Sequence, residues 1–187
     1  MTKWITDYEV TPYTYAVLPF NTADVTGSLV VEKGKYLFIN KKPKVLMERA
    51  CKFFGSSIQG RVQGTRQISG MTHKVPIAVD PHSGMFFFPT NSPTNPKCAW
   101  IAHSHISKII TISEKESELL FVTGEKVHVF ISPGSLRNQV HRTAHFRYLF
   151  IERLQTYYRR SADHERVAEP SASNELMFSP LLSEWLD

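Results

Sequence analysis

The sequence predicts an α+β fold: one domain, mostly antiparallel β-sheet, with a short helix at about residues 43–54 and a long helix at about 135–158. Three observations carry this. Segments rich in aromatic and β-branched residues come in pairs around short turn signals. A proline-initiated amphipathic stretch follows the first pair, and a longer helical stretch opens with start signals at Ser132, Pro133 and Ser135. With 187 residues, 42% hydrophobic and 12% aromatic, the chain can bury one good core and need not contain two domains. The expected organisation is one unit over residues 1–160, then a polar linker and a short apolar docking element over 161–187.

Residues 8–18, YEVTPYTYAVL, and the stretch GSLVVEKGKYLFIN read as strands, the latter as a hairpin turning at Glu32–Gly34. Pro43 suits a first helical turn, and Leu46, Ala50 and Phe53 fall at i, i+4, i+7, giving a helix that ends at Gly55. Arg49 and Lys52 lie off its apolar stripe, and Glu48 sits four residues before Lys52, in position to pair with it. Phe53 to Lys74, with four glycines among Ser, Thr and Gln, reads as a glycine-rich loop or β-ribbon.

PIAVDPHSGMFFFP gives two apolar runs about a turn, TNSPTNPK is loop by composition, and strands resume at Cys98 with CAWIAHSHI and SKIITIS. SELLFVTGEKVHVFI forms a further pair about Thr123–Glu125. On the long helix, Leu136, Val140, Thr143, Phe150, Ile151, Leu154 and Tyr158 share one face with Arg147. A charge on that face needs a carboxylate or carbonyl partner, or a guanidinium that reaches outward along its own stem. Beyond Arg160 the segment is polar and without helical periodicity, which reads as linker, and the final LMFSPLLSEWLD is either a docking element or a terminal helix packed on its own core.

Charge points to a polyanion. Between Glu48 and Glu114 the one acidic residue is Asp80, against Arg49, Lys52, Arg61, Arg66, Lys74, Lys97 and Lys108, and Lys126 to Ile151 has no Asp or Glu. Formal net charge is +5. Glycines admit a phosphate chain close to the backbone, hydroxyls and amides bond sugar and phosphate, and arginine supplies charge. The same composition also makes ordinary surface turns and solvated faces. If the partner is DNA, well-spaced arginines suit the narrow, electronegative minor groove of A/T tracts. No helix-turn-helix is predicted, because the two expected helices are separated by the expected sheet.

Other chemistry finds less support. His103 and His105 fall on one face of a predicted strand, and His141 and His145 on one face of a helix, yet no carboxylate or H-E-x-x-H accompanies them, so no metal or other cofactor is expected. A nuclease would need acidic magnesium ligands. Cys51 and Cys98 lack paired ligand spacing and read as free thiols in a reducing compartment. Asp7 and Glu9 stand where a signal peptide would be apolar, so a cytoplasmic protein with no membrane partner is expected. An RNA-binding β-rich module and a histidine-ligated metalloenzyme remain the alternatives to a DNA-binding protein.

The run ERACKFFGSSIQGRVQGT, followed by ISGMTHKVPIAVDP, FFFPT, CAWIAH and NQVHRTAHFRYLF, resembles the ComK family of bacterial competence transcription factors over about residues 7–158. The resemblance implies a non-enzymatic, nucleoid-associated activator of competence genes that works with RNA polymerase. It implies recognition of paired A/T-rich boxes in double-stranded DNA, chiefly through the minor groove, by a dimer or higher self-assembly. Carried onto this sequence, Arg61 and Arg66 would enter or flank the groove, with Lys52, Lys74 and Arg142 on phosphates. It further implies an adaptor protein of a Clp protease, for which Leu176, Met177, Phe178, Ser179 and Pro180 look similar to the family's short apolar motif.

Overall fold

A computed structural model of the protein describes residues 4–22 and 25–168. The chain divides into two units by contact, Met1–Phe150 and Ile151–Asp187. In the first, the described strands are β1 (Trp4–Ile5), β2 (Thr14–Asn21), β3 (Thr26–Glu32), β4 (Lys35–Ile39), β5 (Ile77–Asp80), β6 (Met85–Pro89), β7 (Trp100–Ala102), β8 (Ile106–Thr111), β9 (Ser117–Phe121) and β10 (Lys126–Val129). Among the described residues they form a seven-stranded sheet, β1-β4-β3-β2-β7-β6-β5, and a three-stranded sheet, β10-β9-β8. Every pairing is antiparallel except β1 with β4.

The central strands are buried on both faces, so they read as continuous apolar runs where a half-exposed strand would alternate. Side chains of β6 show this: Phe87 joins one core with Val17, Val30, Leu46, Met47 and Trp100, while Phe88 joins another with Ala16, Val31, Ile101, Leu119 and Leu136. Phe86 packs in a third with Ala78 and Phe146. The first core lies under helix α1 (Pro43–Phe53), and the second lies under the three-stranded sheet and the start of helix α3 (Pro133–Ala168).

The α+β class, both hairpins, α1 and the start of the long helix agree with the sequence reading; five local expectations do not. Residues 58–69 of the glycine-rich segment form a helix, α2 (Ile58–Ser69), and not a loop or ribbon. Its ends are well signalled: the Ser57 hydroxyl accepts from the Gly60 N–H at 3.0 Å, and Gly70 closes it at φ 70°. Ile58, Val62, Thr65 and Ile68 give it an inward stripe. Because α2 follows α1 across Phe54–Ser57, the expectation that no two helices are neighbours in sequence also fails.

His103–His105 form a 3-10 turn between β7 and β8, which ends the supposed shared strand face of His103 and His105. The long helix runs past Arg160 to Ala168, where a linker was expected. Its inward stripe is Leu136, Gln139, Thr143 and Phe146 rather than the longer one predicted; Ile151, Leu154 and Tyr158 are exposed. No described helix is long and apolar enough to cross a membrane.

Candidate nucleic-acid interface

The α1–α2 corner is built by backbone bonding. At the end of α1 the Gly55 N–H donates to the Lys52 carbonyl at 3.0 Å and the Ser56 N–H to the Cys51 carbonyl at 2.9 Å, with Gly55 at φ 68°. This pattern satisfies the last carbonyls of α1 and needs a left-handed residue, which glycine supplies without steric cost. Glu48 does not pair with Lys52; its Oε2 accepts from the Ile58 N–H at 3.0 Å and so caps α2. Lys52 is left exposed at the corner. Arg61, half-buried, donates through one terminal nitrogen to the Phe54 carbonyl at 3.1 Å, and its Nε is buried without an acceptor.

At the other end of α2, three side chains hold three consecutive carbonyls. Arg66 donates to the Thr72 carbonyl at 3.2 Å, Arg142 to that of His73 at 2.6 Å, and Gln139 to that of Lys74 at 3.0 Å. Gln139 is 3% exposed; its Nε2 also donates to the Pro89 carbonyl at 2.8 Å, and its Oε1 accepts from Arg142 at 2.9 Å. Lys74 itself has φ 44°, unusual for a residue with a side chain. Such backbone costs on the order of 1 kcal/mol and persists where the surroundings fix it, often at working sites. Here the Gln139 amide does so.

The structure therefore groups the five predicted cations in two sets, Lys52 with Arg61 at one end of α2, and Arg66, Lys74 and Arg142 at the other. Between them α2 turns Gln59, Gly60, Gln63, Arg66 and Gln67 outward. Neither α2 nor the loop to β5 contains a carboxylate. A Cβ built on Gly64 meets nothing within 4 Å, so no contact inside the protein requires glycine there. Sequence reasoning missed Gln139, whose neutral amide carries no signal along the helix. It also missed the outward amides of α2, for which the i, i+4, i+7, i+10 spacing of Ile58, Val62, Thr65 and Ile68 was the available cue.

Arg147 belongs elsewhere. Among the described residues it meets neither carboxylate nor carbonyl: one terminal nitrogen bonds His103 Nδ1 and Ser104 Oγ, each at 2.9 Å, and the guanidinium lies 4.9 Å from the Phe86 ring centre. A guanidinium can only donate, so Nδ1 accepts and the imidazole is neutral. Burial, then the charge of Arg147, push the His103 pKa from 6.5 down to about 4. The unfolded chain thus takes this proton before the folded one does. Its contribution to stability is complete above pH 6.5 and is lost as pH falls toward 4, reduced by the solvent screening of a partly exposed ring. His103→Asn is expected to flatten urea-unfolding stability between those pH values; an unaltered slope would assign the acid sensitivity to other groups.

The remaining predicted candidates separate. His105 Nε2 lies 2.8 Å from the Pro12 carbonyl with the ring against Tyr15, while His141 and His145 are exposed on α3. No group of three or more metal-binding side chains gathers among the described residues. Cys51 and Cys98 are buried and free, and burial pushes the Cys51 thiol up to about 11, far from a nucleophile. Leu176 to Pro180 lie outside the described residues.

Fold and site define a class: an α+β protein that carries one cluster of cations at each end of α2, the second completed by the loop to β5 and by α3, beside a mostly antiparallel sheet. The chain belongs to the ComK protein family, whose model matches residues 5–155. It is 40% identical over 147 residues to the competence transcription factor of Bacillus subtilis (strain 168), covering 79% of this chain and 77% of the relative. No solved structure matches it significantly.

Proposed function

We propose that the chain is a transcription factor that activates competence genes by binding paired A/T-rich boxes in duplex DNA, mainly through the minor groove and as an oligomer. The observation that carries the reading is the convergence of Arg66, Lys74 and Arg142 on one carboxylate-free loop, in a chain 40% identical to a named competence transcription factor. The reading is of a binding protein, not an enzyme. Arg61 and Arg66 enter or flank the groove, and Lys52, Lys74 and Arg142 take phosphates.

A helix of about 10–12 Å across exceeds the roughly 6 Å width of a B-form minor groove. The groove must therefore open over α2, a deformation that flexible A/T-rich steps make cheaper. Gly60 slims the outward side of that helix and Gly64 its half-buried flank. One subunit reading a degenerate groove discriminates little, whereas linked subunits on two boxes multiply the preference. Exposed Ile151, Leu154 and Tyr158 on α3 are the proposed self-association face. Contact with RNA polymerase in the nucleoid, and control through a protease adaptor at Leu176–Pro180, complete the proposal.

Replacing A·T pairs of a box by I·C keeps the minor-groove pattern and changes the major-groove one. Affinity is expected to survive that exchange and to fall on G·C replacement. Log affinity should decline with log salt at about −0.9 per phosphate neutralised, and Lys74→Ala should reduce the slope by about one unit on all sequences alike. Equal affinity for A/T-box and G/C-rich duplexes would sink the specificity, and binding lost on I·C exchange would sink the groove.

A further inference from the structure

Phe53 shares the helical spacing of Leu46 and Ala50, yet where those two are buried it is 71% exposed. We infer that Phe53 is a wedge that enters a base step of the bound duplex from the minor groove and unstacks it. The inference rests on the DNA reading above and adds a residue to it. A lone exposed phenylalanine is ordinary on a protein surface, but three features of its setting single this one out. The backbone that carries it is fixed: Phe53 ends α1, and the N–H groups of Phe54, Gly55 and Ser56 donate back to the carbonyls of Ala50, Lys52 and Cys51 at 3.3, 3.0 and 2.9 Å. The ring is also backed by another. Phe54 lies edge-on to it with centroids 5.0 Å apart, and is itself packed against the first core. A side chain so supported gives up little freedom on insertion.

The third feature is charge. Lys52 precedes Phe53 and is exposed, and Arg61 donates to the carbonyl of Phe54, the residue that follows it, at 3.1 Å. One corner thus places the wedge, a cation for a phosphate and a cation for the groove. Phe130 offers the contrast: it is 75% exposed, but it packs on His128 beside the ion pair of that histidine with Glu116. A wedge also answers the width of α2. Minor-groove proteins part base steps with apolar side chains, which kinks the duplex toward the major groove. Pyrimidine–purine steps such as TA yield most easily. Phe53 therefore supplies the opening that a helix of about 10–12 Å needs in a groove of roughly 6 Å.

The test titrates the full chain into end-labelled A/T-box duplexes that carry 2-aminopurine, which brightens when its stacking is lost, at successive adenine positions. Anisotropy of the end label reads affinity separately. Brightening is expected at a position within the box, and Phe53→Ala should abolish it and weaken affinity about tenfold. Phe53→Leu, still an apolar wedge, should keep most of both, and Phe130→Ala should change neither. Because Phe53 is exposed, its variants should unfold at the parent's denaturant midpoint. Binding without brightening at any position overturns the wedge and leaves the DNA reading standing, as does brightening that survives Phe53→Ala or is lost equally in Phe130→Ala. Absence of binding by the parent chain overturns the DNA reading and the wedge with it.

Discussion

Gln139→Ala is expected to lower the unfolding free energy by about 2–4 kcal/mol, because it strands buried acceptors. The Gln139 amide serves the Lys74 and Pro89 carbonyls and orients Arg142. Without it the Pro89 carbonyl stays in a buried setting unpaired, and the left-handed conformation at Lys74 loses its restraint. Arg142 also loses one of its two anchors. Chemical denaturation measures the first effect. The second should appear in DNA titration well below the unfolding midpoint, as weaker binding with a smaller salt slope. A variant within 0.5 kcal/mol of the parent, roughly the spread of ordinary surface changes, would show that the loop is held by other means.

Gly64→Ala is expected to separate stability from binding. Glycine inside a helix costs about 1 kcal/mol relative to alanine, and the added methyl meets open space. The variant should therefore be more stable by about that amount. Its affinity for an A/T-box duplex should nonetheless fall, by about tenfold if the methyl displaces the helix from a close approach to the groove. A chain that gains stability and keeps full affinity would place the DNA on another face. The stability arm depends on the helix alone, so it tests the structure separately from the proposed partner.

Much of the scaffold was legible because its cues are local. Pro43, the turn at Glu32–Gly34 and the Ser132–Ser135 start signals act over a few residues, and the structure keeps all three elements. α2 was illegible for a physical reason: its interior glycines argue against a helix, while the deciding terms are a Ser57 cap, a Glu48 carboxylate ten positions before Ile58, and packing on the sheet. Histidines 103 and 105 alternate as a strand would, but the chain turns there into a 3-10 element. The cations of the candidate site are visible in the sequence as charge. Their grouping could not, since Gln139 meets partners 65 and 50 positions away.

The carbonyl anchors of Arg66 and Arg142 bear on timing. Long side chains normally surrender rotational freedom when they seize a ligand. Here much of that loss has already occurred during folding, so an arriving anion finds guanidinium groups parked in place. Cutting an anchor should consequently shorten the residence of the bound state more than it slows encounter.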